Sequence, residues 1–136
     1  MIRPIMRDPM MLGLPCQEAT PADLSVGQDL LDTLAFHTHE CVGMGANMIG
    51  VRKRVIVFDD EGTHRLMFNP ELVRGFGSYD TEEGCLSLTG KRPVSRFERI
   101  EVRYQDERFA VKTETFTGWT AQIIQHEIDH CNGIVI

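Results

Sequence analysis

The sequence predicts an α+β fold in which an N-terminal helix, antiparallel β-sheets and a C-terminal helix follow one another along the chain. Apolar residues recur at helical spacing near both ends, whereas the middle is rich in β-branched residues that alternate with polar ones. The C-terminal helix is expected to pack against the sheets. A chain of 136 residues has the length of one domain with its own core, so we expect a single domain over residues 1–136.

The first predicted helix lies within residues 18–40. Thr20 can cap it, Pro21 suits the first helical position, and Asp23 stands where a capping box has an acidic residue. Gly27 lowers the helix propensity slightly. The apolar residues that recur at helical spacing are Leu24, Leu31, Leu34 and Ala35.

The middle of the chain predicts two hairpins. Residues 51–60 form a β-branched run, with which residues 63–70 can pair across a turn at residues 60–62. Residues 98–115 predict a second hairpin with its turn at residues 106–107. The residues that alternate along its two strands are Ile100, Val102 and Tyr104 before the turn, and Phe109 and Val111 after it.

The last predicted helix runs from about residue 119 to residue 132, with Gly133 as its C-terminal stop. It carries His126, Glu127 and His130 in the pattern H-E-x-x-H. Residues four apart lie on one helix face, so both imidazoles can face one metal ion while Glu127 acts as a base. An amphipathic helix with two surface histidines and an unrelated glutamate is the alternative interpretation.

Charge and composition argue against several classes of protein. The net charge of −6 offers no general attraction for nucleic acid or for an anionic membrane. No run of about 18 apolar residues predicts a membrane-spanning helix, and prolines, arginines and Asp8 interrupt any signal-peptide core. We therefore expect a cytoplasmic protein without membrane or nucleic-acid partners, whose four cysteines are reduced thiols.

A metal ion bound by two histidines needs a further protein ligand, and Cys131, close behind them, points toward the apolar side of the helix. Cys85 is the best placed, because it lies in the polar, turn-forming segment EEGCLSLTGKRP; a structural core cysteine is the alternative. One cysteine and two histidines would leave a fourth position open for water. The upstream candidates are Cys16, His37, His39, Cys41, His64 and Cys85, of which we interpret the three histidines as ordinary surface residues.

Two complete motifs resemble those of the peptide deformylase family. EGCLS at residues 83–87 matches the family motif E-G-C-φ-S, and QHEIDH at residues 125–130 matches Q-H-E-φ-D-H, in the same order. The segments IRPIMRDP, NMIGVRKRVIVFDD, FNPEL and HCNGIVI are also similar to the family. The resemblance therefore covers essentially the whole chain.

The resemblance implies a hydrolase that removes the N-formyl group from the initiating methionine of new peptides, so N-formylmethionyl peptides are the expected partners. It implies one divalent metal ion bound by Cys85, His126 and His130. The ion is usually Fe(II) in the family, and zinc, nickel or cobalt can replace it. Glu127 would transfer the proton of the attacking water, and the backbone N–H of Leu86 would stabilise the oxyanion.

The resemblance also implies supporting and substrate-binding residues. Glu83 is expected to pair with Arg96 next to the metal ligands. Such pairs orient the ligands themselves. The expected substrate-binding residues are Val42, Gly43 and Ile123, which would shape an apolar pocket for the methionine side chain, and Arg92, which would meet the peptide backbone.

The first family motif, G-φ-G-φ-A-A-x-Q, is only partly present. In CVGMGANMIGV, Cys41 replaces its first glycine, Gly43 is kept, and Met48 stands at the glutamine position. That glutamine donates a hydrogen bond to the formyl oxygen, whereas a thioether has no proton to donate. Losing one such donor typically costs about 2.7–4 kcal/mol. The metal ion, or a neighbour such as Asn47, would have to compensate.

Met48 leaves three functions open: an active deformylase, a metal-dependent amidase for another small acyl group, and a non-catalytic relative that binds metal or formyl-methionyl peptides. Glu127 serves chemistry rather than metal binding, so its retention favours the two catalytic functions. Nothing follows Ile136 in the sequence, so we expect no C-terminal helix of the kind through which some family members contact the ribosome.

Overall fold

The computed structural model describes residues 1–136, and its α+β architecture confirms the predicted fold class. The helices are α1 (Pro9–Leu12), α2 (Leu24–Phe36) and α3 (Gly118–Cys131). The strands are β1 (Gly43–Gly45), β2 (Val55–Asp60), β3 (Thr63–Cys85), β4 (Leu88–Gln105) and β5 (Val111–Thr117). Two 3₁₀ turns lie at Pro21–Asp23 and Ala46–Ile49.

The five strands form one antiparallel sheet in the order β1-β2-β3-β4-β5. The first predicted hairpin is confirmed, because β2 and β3 pair up to Asp60 opposite Thr63. Its two turn residues, Glu61 and Gly62, have φ angles of 51° and 97°. Positive φ at both positions matches the twist of the flanking strands, which explains why a glycine stands there.

Strands β3 and β4 form a long hairpin that the sequence patterns did not predict. The segment 82–93, expected to be turn-forming, is the tip of this hairpin, with Cys85 at the end of β3 and Leu88 at the start of β4. Register shifts near Phe68 and Leu72 interrupt the pairing, and most residues beyond them are not buried. Alternation of apolar and polar residues, the usual signal of a half-buried strand, is therefore missing here.

The second predicted hairpin is present, with Gln105 opposite Val111, but its turn is longer than expected. Phe109 lies in this turn with a φ angle of 59°, and its ring packs against Phe68 with ring centroids 4.7 Å apart. Val111 is 66% exposed. The predicted alternation of Phe109 and Val111 along one strand is therefore wrong, because the turn extends from residue 106 to residue 110.

The predicted cap of the first long helix is present. The Thr20 N–H donates to the Asp23 carboxylate at 2.9 Å, and Pro21 opens the turn that leads into α2. The helix itself covers Leu24–Phe36, a shorter range than residues 18–40.

The buried face of α2 differs from the predicted apolar set. Leu34 is buried as expected, whereas Leu24 and Ala35 are exposed. A Cβ atom on Gly27 would lie 2.8 Å from a methyl group of Leu66, so the missing side chain lets α2 lie close to β3. The buried residues of the helix are Gly27, Leu30, Thr33 and Leu34.

Helices α2 and α3 cover opposite faces of the sheet. Successive strand residues point to opposite faces, so Val55 and Val57 join the core cluster on the α2 side, while Ile56 and Phe58 join the cluster on the α3 side. The residues that α3 adds to its cluster are Ala121, Ile123, Ile124, Ile128 and Cys131. None of the three helices has the length and apolar composition needed to cross a lipid bilayer.

Candidate metal centre and active site

Helix α3 carries three of the predicted site residues, His126, Glu127 and His130, and all three are buried. The two histidines are one helical turn apart, which brings their Nε2 atoms to 3.2 Å. The helix ends just before Gly133, whose φ angle of 72° suits its predicted role as the stop.

The tip of the β3–β4 hairpin brings Cys85 to these histidines. The Cys85 Sγ atom lies 3.4 Å from His130 Nε2, and the donor atoms of Cys85, His126 and His130 all lie within 4.8 Å of one another. Zinc bonds of about 2.0–2.3 Å in tetrahedral geometry separate neighbouring ligand atoms by about 3.3–3.8 Å. The three side chains could therefore hold one divalent ion with a fourth position left open.

A buried acidic group orients the first histidine. Glu83 Oε1 lies 2.9 Å from His126 Nδ1, so a proton on Nδ1 is donated to the carboxylate and Nε2 stays free for a metal ion. Arg96 donates to both oxygens of Glu83, at 3.0 and 2.7 Å, and also to Asp129 at 2.8 Å. Gln122 donates to Glu83 Oε2 at 2.8 Å. The expected pairing of Glu83 with Arg96 therefore forms part of a larger buried network.

The charges of this network follow from its contacts. Burial by itself would raise the pKa of Glu83, but hydrogen bonds from His126, Arg96 and Gln122 outweigh it and lower the pKa to about 2. Burial and the neighbouring His126 lower the pKa of His130. His130 is therefore neutral, as a metal ligand must be.

Glu127 differs from Glu83 in having a free oxygen. Its Oε1 atom is buried and has no hydrogen-bond partner, and burial raises its pKa to about 7. Gly43 of β1 lies against it, since a Cβ atom on residue 43 would be 2.8 Å from Glu127 Oε2. A carboxylate with this freedom next to a metal-binding cluster can accept a proton from water.

A cavity of about 690 Å³ opens beside the cluster, and most of the predicted site residues line it. Three predicted residues lie outside its lining: His130, Arg96, and Arg92, which donates to the Thr89 carbonyl at 3.3 Å. The predicted residues that line the cavity are Val42, Gly43, Met48, Glu83, Cys85, Leu86, Ile123, His126 and Glu127.

Eight further residues line the cavity, and those that the sequence did not point to include Glu40, Glu82, Lys91 and Trp119. Trp119 is 60% exposed, an unusual position for the only tryptophan of the chain. Glu40 directly precedes the first motif, and Lys91 follows the second by a few residues. Their charge and their position next to the motifs were therefore the signals from which Glu40 and Lys91 could have been predicted.

Met48 and Asn47 point in different directions. Met48 is buried and lines the cavity, so a thioether stands where the family has its glutamine. The Asn47 amide Nδ2 donates to the His130 carbonyl at 3.0 Å and to the Leu12 carbonyl at 3.4 Å, and Asn47 does not line the cavity. The hypothesis that Asn47 replaces the missing donor is therefore not supported.

The N-terminal segment forms hydrogen bonds with the backbone of two residues that line the cavity, Met48 and Leu86. The Met6 N–H donates to the Met48 carbonyl at 2.7 Å, and the Arg7 guanidinium donates to the Leu86 carbonyl at 2.8 Å. The backbone next to the Leu86 N–H is thus tied to a segment that is distant in sequence.

The remaining candidates for a third ligand do not join the metal-binding cluster. His37 Nδ1 lies 3.4 Å from Glu40, and neither His39 nor His64 joins a metal-binding cluster. All four cysteines are free thiols. Cys41 lines the cavity, but its thiol donates to the Gly43 carbonyl at 2.8 Å, and burial raises its pKa to about 12.

Known proteins are similar to this chain in both sequence and fold. The chain is 49% identical to a peptide deformylase of Clostridium beijerinckii over 136 residues, which is 100% of both chains. It is 39% identical to peptide deformylase 3 of Shewanella oneidensis over 79% of this chain and 68% of that protein. A class I type b peptide deformylase from Acinetobacter baumannii superposes with a TM-score of 0.88 and 28% identity, covering 98% of this chain and 96% of that one. The peptide deformylase of Thermus thermophilus superposes with a TM-score of 0.88 and 31% identity, covering 98% and 83%.

The family comparison agrees with the two motifs. The family model described as polypeptide deformylase matches residues 2–136. This range includes the hairpin tip with EGCLS and the helix with QHEIDH. The chain therefore belongs to the polypeptide deformylase family.

Proposed function

We propose that this protein is a metal-dependent hydrolase that removes the N-formyl group from the N-terminal methionine of newly made peptides and releases formate. One observation carries the proposal: three metal-binding donors, from Cys85, His126 and His130, meet the unpartnered carboxylate of Glu127 beside one cavity. Membership of the polypeptide deformylase family supports the same reaction.

Cys85, His126 and His130 hold the ion, and Glu83 keeps the His126 ring in the required orientation. When bound, the ion supplies Lewis-acid activation of the formyl carbonyl and of the attacking water. We propose Fe(II), with zinc, nickel or cobalt as ions that suit the same ligands.

Glu127 carries the proton. Its free oxygen beside the cavity supports a role in accepting a proton from the water molecule that attacks the formyl carbon. The same proton then passes to the leaving nitrogen as the C–N bond breaks. The products are formate and a peptide with a free N-terminal amine.

The Leu86 N–H is the proposed protein donor to the oxyanion, because Leu86 lines the cavity next to Cys85. Met48 also lines the cavity, but its thioether donates no hydrogen bond. A site with one donor fewer is expected to be slower by about 10²–10³-fold. We therefore expect a rate below that of a matched site with glutamine.

Val42, Gly43 and Ile123 form the proposed wall against which the methionine side chain of the substrate packs. Arg92 is the residue that the family resemblance assigns to the peptide backbone, and Lys91 is the cation that lines the cavity beside it. Both can donate hydrogen bonds to carbonyl or carboxylate groups of the peptide.

Met48 is the observation that favours a second candidate function. In this alternative the protein hydrolyses a different small N-acyl group, or it binds formyl-methionyl peptides without turnover. The cavity and the metal-binding donors serve all of these functions equally, so only turnover separates them.

Formate release from formyl-Met-Ala tests the proposal, with protein prepared anaerobically with Fe(II). We expect turnover in the wild type and in the surface control Glu71→Gln, whose side chain is 60% exposed. Glu127→Gln should lose at least about 100-fold in rate at unchanged metal content, and Met48→Gln should be faster than the wild type. Turnover in Met48→Gln alone, or hydrolysis of acetyl-Met-Ala in place of formyl-Met-Ala, would contradict the proposal.

A further inference from the structure

One nitrogen of the proposed metal ligand His130 lacks a hydrogen-bond partner. Its Nε2 atom faces Cys85 and His126, so Nδ1 lies on the other side of the ring, where it is buried without a partner. A neutral imidazole that offers its Nε2 lone pair to a metal ion carries its proton on Nδ1. A buried N–H without an acceptor costs about 1–3 kcal/mol, so this proton needs an acceptor.

A buried oxygen without a donor belongs to Asn47, whose side chain contacts the backbone of His130. Asn47 is 1% exposed, its Nδ2 donates to the His130 carbonyl at 3.0 Å, and its Oδ1 has no partner. Asn47 therefore already contacts the backbone of His130, while its acceptor is unused.

Gly45 leaves the space between the two residues open. A Cβ atom on Gly45 would lie 3.1 Å from His130 Cβ and 3.4 Å from Asn47 Oδ1, so both residues border the same gap. The backbone oxygen of Glu127 is farther away, 3.8 Å from the same point. A turn of either side chain, or one bridging water molecule, joins the unpaired donor to the unpaired acceptor.

We propose that Asn47 is a positioning residue for the metal ligand His130, whose Nδ1–H it accepts at Oδ1, directly or through one water molecule. This inference rests on the proposed metal site and adds a residue to it. Glu83 orients His126 from one side of the centre, and Asn47 orients His130 from the other. Residues in such positions fix the tautomer of the ligand and raise its affinity for the metal.

Two substitutions separate the acceptor of Asn47 from its donor. Asn47→Leu removes both polar atoms at similar volume, whereas Asn47→Asp keeps an oxygen acceptor and loses the N–H donor to the His130 carbonyl. Arg54→Gln is the matched control, because Arg54 donates to the Cys131 carbonyl at 3.3 Å and so supports the same helix end without facing the His130 ring.

Zinc affinity, measured by competition with a chromophoric chelator, gives the first readout. We expect Asn47→Leu to bind zinc about 10–100-fold more weakly, while Asn47→Asp and Arg54→Gln keep the wild-type affinity. If Asn47 only supports the helix through its donor, Asn47→Asp will weaken as much as Asn47→Leu, and the inference is wrong. Wild-type affinity in Asn47→Leu also overturns it.

Nitrogen-15 NMR of the histidine rings gives a second readout that does not depend on the variants folding. The zinc-loaded wild type should show a slowly exchanging proton on His130 Nδ1. Rapid exchange of that proton contradicts the inference. A wild type that binds no zinc at all contradicts the proposed function instead, so the two failures are distinguishable.

Discussion

Gly43 and Glu127 lie so close together that a Cβ atom on residue 43 would be 2.8 Å from Glu127 Oε2. The same atom would lie 2.9 Å from Ile123 Cγ2. Both contacts are shorter than real Cβ atoms make, so any side chain at position 43 must displace its neighbours. Gly43 therefore determines where the carboxylate of Glu127, the proposed base, lies in the cavity.

Gly43→Ala should impair the reaction without removing the metal. Displacement of a reacting group by about 1 Å can cost about 100-fold in rate, so we expect kcat to fall by up to that factor. The measurement is kcat for formyl-Met-Ala beside the metal content of the same sample. Gly45→Ala is the comparison, because its Cβ would press on His130 Cβ at 3.1 Å and should weaken metal binding instead. Full activity in Gly43→Ala would contradict the assignment of Glu127.

Arg96→Met should destabilise the fold far more than removal of an exposed arginine. Arg96 and Glu83 are both almost completely buried, and loss of the arginine removes the guanidinium that pairs with this buried carboxylate. We expect a loss of about 3–5 kcal/mol in the free energy of unfolding, measured with urea.

Arg103→Met is the matched control for Arg96→Met. Arg103 contacts Glu71 at 2.8 Å, but the two side chains are 52% and 60% exposed. A surface pair of this kind contributes about 0–1 kcal/mol. Similar losses in the two variants would mean that the Glu83 network does not stabilise the fold as a buried ion pair.

Lys91 and Arg92 are neighbours with different predicted effects on substrate binding. Lys91 lines the cavity, whereas Arg92 donates to the Thr89 carbonyl. We expect Lys91→Ala to raise KM up to about fivefold for a formyl-Met peptide with an acidic second residue, the range of one exposed charge contact. Arg92→Ala should leave this KM near the wild-type value. The opposite order would favour the role that the family resemblance assigns to Arg92.

Acid should weaken the fold partly through Glu114. Arg65 donates to Glu114 at 2.7 Å and Tyr104 also donates to it, and these hydrogen bonds hold the pKa of Glu114 below its usual 4.5. A lowered folded-state pKa means that the stabilisation is complete above pH 4.5 and is lost as the pH falls through the lower value. Glu114→Gln should therefore differ most from the wild type near neutral pH, and the difference should shrink in acid. Thermal unfolding at a series of pH values measures this, and a difference independent of pH would contradict it.

The helix that carries His126, Glu127 and His130 could be predicted as a unit from the sequence. A helix brings residues four apart onto one face whatever surrounds it, so the spacing alone predicted two imidazoles beside an acid. The turn at Glu61 and Gly62 could be predicted for the same reason, since two-residue turns depend on the backbone angles of the turn residues themselves.

Local patterns were less informative where exposure or a long turn intervened. Beyond Leu72 in β3 and before Arg96 in β4, most residues are exposed or half-buried, so no clear alternation of apolar and polar residues marked these parts of the strands. Phe109 follows the alternation rule in the sequence but lies in a turn with positive φ. In the sequence Asn47 lies next to Met48, the position of the missing glutamine donor. Packing nevertheless turns its amide toward His130.

The sequence by itself determined the α+β order of elements, the metal-binding face of the last helix and the family motifs, because these depend on neighbouring residues. Only the tertiary structure decided that Cys85 Sγ comes within 3.4 Å of His130 Nε2, and that Lys91 rather than Arg92 lines the cavity. Those contacts depend on the register of the β3–β4 hairpin and on how α3 packs against the sheet. Both join residues far apart along the chain, where no local spacing specifies a distance.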